Sequence, residues 1–291
     1  MRSGFLVVDK PGGMTSSQAA GRVRRATGAG KVGHAGTLDP SATGALVVGI
    51  GKVTRLIRFI QDQPKEYVAK ALFGVATDTL DSDGAVLSQA PMDFKRTDLE
   101  AVLPRFTGVI DQVPPMFSAL KRGGRRLHEL AREGRVVERE ARPVEVRELE
   151  LLSVGDPPYP EVGLRVVCGK GAYIRSLADD IASALGGSAH LTALRRTRIG
   201  SLEAARGIAV GDLADWEEHL LAPADALGDM AAVTVGPETA RGVGHGMSFT
   251  GGDIAAAPAG LPYRVHDEAG RMLAVYSRDR DRARPEVVLP A

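Results

Sequence analysis

A polar loop between two apolar segments constrains the fold of this chain more than any other stretch. Residues 31–44 read KVGHAGTLDPSATG, and four of these fourteen residues are Gly or Pro. Glycine frees the backbone where a side chain would clash, and Pro40 restrains Asp39 toward extended geometry. We therefore expect a shaped loop that presents His34 and Asp39, rather than a helix or a long strand.

The segments on either side of this loop predict strands. FLVVD at residues 5–9 and ALVVGI at residues 45–50 are short and continuously apolar, as is typical of buried strands in a parallel or mixed sheet. A polar loop held by core strands is a common place for catalysis. An Asp-Pro pair also occurs in ordinary turns, where the carboxylate accepts hydrogen bonds from nearby N–H groups. From the loop alone, both interpretations stay open.

The composition indicates a globular chain without a membrane segment. The 291 residues are 44% apolar and 25% charged, which is enough for one large core or two domains. No apolar run is long enough to span a bilayer, and the N-terminus lacks the features of a signal peptide. The single cysteine, Cys168, cannot form an intramolecular disulfide, which fits a reducing compartment. We expect the cytoplasm.

The charge is distributed unevenly along the chain. Residues 1–60 hold nine Lys or Arg against two Asp, a net +7, so the rest of the chain carries −6 of the total +1. Residues 117–147 hold nine basic residues against five acidic, and a third basic cluster occurs at residues 195–198. Any one cluster could be a solvated face. Three clusters together indicate a polyanionic partner such as a nucleic acid.

One glycine pattern suggests a nucleotide cofactor but lacks the necessary context. GAGKVG at residues 28–33 matches the dinucleotide fingerprint G-x-G-x-x-G, which requires a strand before it and a helix after it. Here a helix is predicted before it, at residues 15–26, and a loop follows. The sequence also lacks a Walker A motif, HExxH, CxxC and G-x-S-x-G, so it gives no support for nucleotide hydrolysis, zinc proteolysis or a serine hydrolase.

Three further segments contribute candidate site residues. Residues 66–75 predict a strand with Tyr67 on its small-residue face. Residues 113–134 contain a Pro pair and a Gly pair on either side of basic residues, which predicts a mobile cationic flap. GKGAY at residues 169–173 leads into a helix whose first turn contains Arg175, where a cation opposes the helix dipole. Either a buried or incoming anion compensates Arg175, or its side chain faces solvent.

The order and spacing of these segments resemble the bacterial tRNA pseudouridine-55 synthases, from about Leu6 to Gly200. The resemblance implies an isomerase that converts uridine 55 in the T-loop of tRNA to pseudouridine. The reaction would use base flipping, followed by cleavage and re-formation of the glycosidic bond, without cofactor or metal. The segments that carry the resemblance are DKPGGMTS, GHAGTLDPSATG, EYVAKALFGVATDTLDSDG, PPMFSALKRGGRRLHELAREG, ARPVEV, GKGAYIRSLADDI and HLTALRRTRIG.

The same resemblance implies roles for individual residues. Asp39 would be the essential catalytic carboxylate, Tyr67 would pack on the target base, and Arg175 would be ion-paired to Asp39. The implied substrate-binding residues are Tyr173 and Leu194 in the pocket, His34 in the place of the flipped nucleotide, and Lys10, Lys121 and Arg122. Four positions depart from the family pattern and concern the flap and its support, namely Phe117, His128, Gly169 and Ala172.

Bond chemistry supports an assignment of this kind. Moving uracil from an N1 to a C5 linkage breaks a bond at the anomeric carbon, and a nearby carboxylate stabilises the cationic centre or its adduct. Two alternatives stay open on the sequence: a noncatalytic RNA-binding or tRNA-folding protein, which would explain the basic clusters, and a dinucleotide-dependent enzyme, which would explain GAGKVG alone.

We predict an α+β chain in two domains. Residues 1–229 would form a catalytic domain with a large mixed sheet, flanking helices and a mobile RNA-binding insertion at 113–134. Residues 230–291, rich in Gly and Pro, would form a small C-terminal β-barrel similar to a PUA domain that adds RNA contacts. The expected partner is the T-arm of tRNA, bound by a monomer that needs neither a membrane nor a metal.

Overall fold

The computed structural model describes residues 2–118, 120–122, 124–135, 137–257 and 259–290, without the side chains of Lys121, Arg122, Arg126, His128 and Arg132. A large mixed sheet and a smaller five-stranded sheet hold most of the strands. The chain divides into two compact units. The first comprises residues 1–40, 44–62 and 199–291, and the second comprises residues 41–43 and 63–198. None of the helices in the described ranges is long and apolar enough to cross a membrane.

The α-helices are α1 (Ser16–Thr27), α2 (Ile57–Gln61), α3 (Arg96–Val102), α4 (Leu127–Arg132), α5 (Ile174–Ala184), α6 (Pro223–Ala226) and α7 (Pro237–Gly244). Short 3₁₀ helices occupy Gly51–Leu56, Leu103–Phe106, Ala204–Arg206, Leu213–Asp215 and Asp253–Ala255. The strands are β1 (Gly4–Lys10), β2 (Val32–His34), β3 (Thr43–Ile50), β4 (Lys65–Phe73), β5 (Val75–Thr77), β6 (Val86–Gln89), β7 (Gly108–Gln112), β8 (Lys121–Arg122), β9 (Arg125–Arg126), β10 (Arg142–Val154), β11 (Glu161–Cys168), β12 (Ala189–Ile199), β13 (Leu202–Glu203), β14 (Ile208–Ala209), β15 (Ala232–Val235), β16 (Phe249–Thr250), β17 (Tyr263–Asp267), β18 (Met272–Asp279) and β19 (Arg282–Val288).

In the first unit, β1 lies between a parallel and an antiparallel neighbour. It pairs parallel with β14 and antiparallel with β3, and β2 pairs with the other side of β3. Phe5 and Val7 belong to one core cluster, whereas Leu6 and Val8 belong to another. Both faces of β1 are therefore buried, which explains its continuous apolar run and confirms the predicted buried strands of a mixed sheet.

Helix α1 begins and ends where the sequence predicts, to within one residue. Thr15 and Gln18 form a capping box at its start, and Gly28 ends it with φ of 63°. Its buried Ala19 and Val23 pack into the cluster that contains Leu6. Because a helix precedes residues 28–33 and strand β2 begins within them, these glycines do not have the context of a dinucleotide-binding turn.

The C-terminal part of the first unit forms a five-stranded sheet in the order β15-β17-β18-β19-β16. These five strands agree with the β-rich C-terminal region that the sequence predicts. Met272, Val275 and Val287 share the core cluster of Phe5 and Val7, whereas Tyr263 and Tyr276 lie in a cluster of the C-terminal sheet itself. The α+β class with a large mixed sheet is confirmed, and the smaller sheet is curled like half a barrel.

In the second unit, the strands follow the order β12-β4-β11-β10-β7. Along β4, Tyr67, Ala69, Ala71 and Phe73 are buried, while Val68 on the opposite face is 37% exposed. This alternation confirms the predicted strand and the face on which Tyr67 lies. After β7 the chain leaves the sheet into the predicted flap, which contains the β8–β9 hairpin and the short helix α4.

Candidate active site

Two buried side chains hold the backbone on either side of Asp39. The hydroxyl of Ser16 donates to the Leu38 carbonyl at 3.1 Å and accepts from the Leu38 N–H at 2.8 Å. The Lys10 amino group donates to the Pro40 carbonyl at 3.1 Å. Since Leu38 and Pro40 flank Asp39, these bonds fix the main chain that carries its half-buried carboxylate.

Lys10 is fully buried at the end of β1. Its amino group also donates to the carbonyls of Met14 at 2.6 Å and Pro11 at 2.9 Å. An ammonium group has three donors, and burying it is costly unless hydrogen bonds replace its water. Here three backbone carbonyls do so. Lys10 thus ties together β1, the start of α1 and the Asp39 loop, and it exposes no surface to solvent.

His34 lies at the end of β2, where the chain leaves the sheet toward Asp39. Its cross-strand partner on β3 is Val48, and its side chain is half-buried. The next residue, Ala35, donates its N–H to Val47 O at 2.8 Å, and Gly36 then turns the chain with φ of 90°. A side chain at position 36 would strain this conformation. His34, Lys10 and Asp39 all belong to the first unit.

Tyr67 belongs to the second unit, where β4 is fixed by its neighbour Glu66. The Glu66 carboxylate accepts hydrogen bonds from Arg165 at 2.7 Å, Thr197 at 2.7 Å and Arg198 at 3.2 Å. Burial alone would raise the pKa of Glu66, but the hydrogen bonds from Thr197 and Arg165 and the charges of both arginines hold this pKa below its usual value. Tyr67 itself is only 8% exposed.

The segment from Tyr173 to Arg175 enters α5 through several buried contacts. Gln112 bonds both backbone groups of Tyr173: the Tyr173 N–H donates to Oε1 at 2.7 Å, and Nε2 donates to the Tyr173 carbonyl at 3.0 Å. Arg175 is 3% exposed and donates to Thr79 O at 2.6 Å and to Phe117 O at 2.8 Å. The solvent-facing alternative for Arg175 is therefore wrong.

Asp81 is an anion close to Arg175. Its Oδ2 lies 3.5 Å from Nη1 of Arg175, and both side chains are largely buried. A cation in the first turn of a helix opposes the dipole, and this nearby carboxylate offsets the opposition. The sequence predicted that a buried or incoming anion could compensate Arg175, and Asp81 is one such anion.

For the remaining predicted site residues, the structure gives the strand on which each lies. Leu194 is half-buried on β12, the strand next to β4 that carries Tyr67. Lys121 and Arg122 form β8, but their side chains lie outside the described part of the structure. Within the described residues, no three His, Cys, Asp or Glu side chains come close enough together to hold a metal ion.

Two adjacent aspartates on α5 have raised pKa values. Burial raises the pKa of Asp179, although the carboxylate accepts a hydrogen bond from the Ala189 N–H at 3.1 Å. Burial, and then the charge of Asp179, raise the pKa of Asp180 to about 6. Both carboxylates line one cavity together with Ser176 on α5 and Phe117 in the flap.

Three residues that organise the site were not predicted from the sequence. Ser16, Asp81 and Gln112 each form bonds to the segments that carry Asp39, Arg175 and Tyr173. Ser16 and Asp81 lie inside segments that carry the family resemblance, which was the available signal, whereas Gln112 lies outside these segments. A serine in a first helical turn or a glutamine at a strand end is otherwise ordinary.

The chain is similar to known proteins over most of its length. Residues 24–174 match the family described as TruB family pseudouridylate synthase (N terminal domain), and residues 175–229 match the tRNA pseudouridylate synthase B C-terminal domain. A tRNA pseudouridine synthase B from Symbiobacterium thermophilum is 47% identical over 84% of this chain and 82% of that protein. One from Dechloromonas aromatica is 43% identical over 94% of this chain and 90% of that protein. A chain of a solved Cbf5-Nop10-Gar1 complex superposes with a TM-score of 0.77 at 25% identity, covering 99% of this chain and 85% of that one. This chain therefore belongs to the TruB family of pseudouridylate synthases.

Proposed function

We propose that this protein isomerises uridine 55 in the T-loop of tRNA to pseudouridine. The observation that carries the proposal is the clamped loop around Asp39, whose flanking residues Leu38 and Pro40 are held by Ser16 and Lys10. Catalysis by a carboxylate requires that its oxygen meet the reacting carbon in one defined position. A loop whose backbone is bonded on both sides of the carboxylate supplies such a position.

The reaction breaks the N1–C1′ bond of the nucleotide and forms a C5–C1′ bond, while C5 loses its proton to solvent and N1 takes up a proton from solvent. Asp39 stabilises the cationic sugar centre or forms a transient adduct with the substrate. No net oxidation or reduction occurs and no group is donated from outside, so the chemistry needs no activated donor. Water has to be kept from the detached base while it rotates, which favours an apolar pocket.

Tyr67 and Arg175 act with Asp39 in this proposal. Tyr67 is buried on the small-residue face of β4, so its ring is available to pack on a base in a dry pocket. We propose that Arg175 pairs with Asp39 during the reaction and keeps that carboxylate charged by offsetting its desolvation. The burial of Arg175 supports this role, because a buried guanidinium acts in a low-dielectric surrounding. Tyr173 and Leu194 line the same pocket.

RNA recognition is assigned to the loop and the flap. His34 fills the stack that the flipped uridine leaves, since a planar ring both stacks and hydrogen-bonds. Lys121 and Arg122 contact phosphates from the flap. The family resemblance also implies that Lys10 binds the substrate, but its complete burial and its three carbonyl partners favour a role beneath the Asp39 loop.

The domain organisation belongs to the same proposal. Residues 1–229 form the catalytic domain, with a mobile insertion at 113–134, and residues 230–291 form a PUA-like domain that adds RNA contacts. The curled sheet of β15–β19, whose strands pair with one another, supports this boundary, although Met272, Val275 and Val287 also pack into the core cluster of Phe5 and Val7. We also propose that the protein binds the T-arm as a monomer in the cytoplasm, where a single buried cysteine is unlinked.

Tritium release tests the function. A tRNA transcript labelled at C5 of its uridines should lose one equivalent of tritium per molecule, because isomerisation replaces the C5–H bond. A matched transcript with cytidine at position 55 should release none. No release from the first transcript, or equal release from both, would contradict the proposed reaction or its position.

A further inference from the structure

The buried side chain of Gln112 hydrogen-bonds to the backbone of Tyr173 in the way that a neighbouring strand would. It is 2% exposed at the end of β7, immediately before the flap. Its carboxamide presents one acceptor and one donor, which meet the Tyr173 N–H and carbonyl at 2.7 and 3.0 Å. These are the same two groups that a peptide presents in a β-ladder. The side chain thus extends the sheet by one residue pair.

Two further hydrogen bonds connect the same segments. Ser176 Oγ donates to the Val113 carbonyl at 3.0 Å, and Arg175 donates to the Phe117 carbonyl at 2.8 Å. Residues 112, 113 and 117 therefore meet residues 173, 175 and 176. We call residues 112–117 the flap root, because the chain runs from them into the β8–β9 hairpin.

The bond to Tyr173 also sets the start of α5. The Tyr173 carbonyl accepts the Leu177 N–H at 3.0 Å as well as Gln112 Nε2, so one oxygen joins the first helical turn to the flap root. Tyr173 has extended backbone angles and provides no side-chain cap for the helix. Its backbone position, and with it the direction of its ring, therefore depends on Gln112.

We propose that Gln112 is a positioning residue that sets Tyr173 and the start of α5 according to the position of the flap root. RNA that binds the flap thereby also positions Tyr173 and the start of α5 in the pocket. The proposal rests on the assigned role of Tyr173 in the pocket. Because Gln112 touches Tyr173 and not the substrate, its loss should slow the chemical step more than it weakens tRNA binding.

Gln112→Met tests this, because methionine keeps the length of the side chain and removes both hydrogen bonds. The matched control is Tyr263→Phe, which removes one buried hydrogen bond, from Tyr263 to the Ile254 carbonyl, in the C-terminal sheet. We expect Gln112→Met to lower the single-turnover rate at saturating enzyme by about tenfold or more, with tRNA Kd within about threefold. A rate no lower than that of the control would overturn the proposal.

A spectroscopic readout reports on Tyr173 without RNA. The chain has five tyrosines, so incorporation of 3-fluorotyrosine gives a simple ¹⁹F spectrum in which Tyr173→Phe identifies one resonance. In Gln112→Met the Tyr173 resonance should shift or broaden, while the resonances of Tyr263 and Tyr276 stay in place. An unmoved Tyr173 resonance would overturn the proposal. This readout stands even if wild-type protein releases no tritium, so it separates this inference from the proposed function.

Gln112→Glu provides a second variant with a distinctive pH dependence. An ionised Glu accepts the Tyr173 N–H but opposes the Tyr173 carbonyl, whereas a protonated Glu restores the donor. The ratio of variant to wild-type rate should therefore rise as pH falls from 8 to 5.5. The neighbouring charged groups are Arg142 opposite Gln112 on β10, Asp111 beside it, and Arg175, Asp179 and Asp180 on α5. Asp180, with a pKa of about 6, titrates in the same pH range and would be coupled to a charge at position 112, so both proteins are compared in an Asp180→Asn background. A ratio independent of pH would overturn the donor role, and this variant decides the matter if Gln112→Met fails to fold.

Discussion

Replacing Lys10 by methionine distinguishes a residue that holds the Asp39 loop from one that contacts RNA. Methionine fills a similar volume but leaves the carbonyls of Pro11, Met14 and Pro40 without the ammonium. Hydrogen bonds from a charged donor contribute about 1.5–3 kcal/mol each, and they do not add fully when they share one donor group. We expect the free energy of unfolding to fall by about 3–5 kcal/mol, because three buried carbonyls lose their donor while the cost of burying an ammonium is removed.

For a chain of this size such a loss lowers Tm by about 5–8 °C, which leaves the variant folded at 20 °C. Below that transition, the single-turnover rate should drop by about 10²-fold, because a loop displaced by a fraction of an ångström misplaces Asp39. The affinity for tRNA should change by less than about threefold. The slope of log Kd against log salt should stay unchanged, because a buried ammonium neutralises no phosphate.

Calorimetry, single-turnover kinetics and a salt titration of tRNA binding measure these three quantities. A direct phosphate contact gives the opposite pattern: the salt slope falls by about one, and the rate at saturation is preserved. That result would refute the loop-holding role. An unchanged Tm would refute the burial argument as well.

Three other perturbations follow from the same structure. Because the pKa of Asp180 is raised to about 6, its ionisation destabilises the fold progressively as pH rises from 4 to above 6. Asp180→Asn should therefore raise stability by about 1–2 kcal/mol at pH 8 and not at pH 4, and calorimetry showing equal gains would contradict this. His34→Ala should slow the reaction on intact tRNA more than on a substrate whose target loop is already unstacked. Equal slowing on both substrates would show that His34 only stabilises the loop. Replacing Lys121 and Arg122 by glutamine should weaken tRNA binding and reduce its salt slope by about two, whereas an unchanged slope would show that neither contacts phosphate.

Local sequence patterns predicted the elements that place the site. Continuous apolar residues predicted β1 and β3, because both faces of these strands are buried, and alternation placed Tyr67 on the inner face of β4. The capping residues located α1, which in turn excluded the dinucleotide interpretation of residues 28–33. These properties depend on neighbours within a few residues, so the sequence displays them directly.

Contacts between distant segments could not be predicted in this way. Gln112 meets Tyr173 across 61 positions, and no local pattern marks a glutamine that completes a ladder. Asp81 reads as part of a polar turn until the fold brings it to Arg175. Lys10 reads as a surface cation, because lysine is almost never fully buried unless its charge is matched. Two of the carbonyls that match it, those of Pro11 and Met14, are close to it in the chain, but the third, that of Pro40, comes from the loop thirty residues away.

The central claim is that Asp39 performs the isomerisation, and Asp39→Asn tests it most directly. Asparagine keeps the size of the side chain and removes its charge, so the loop held by Ser16 and Lys10 should persist. We predict that tritium release from C5-labelled tRNA falls by several orders of magnitude, while tRNA affinity stays within about tenfold, because the carboxylate acts mainly in the transition state. Tritium release near the wild-type rate, with tRNA bound normally, would contradict the account.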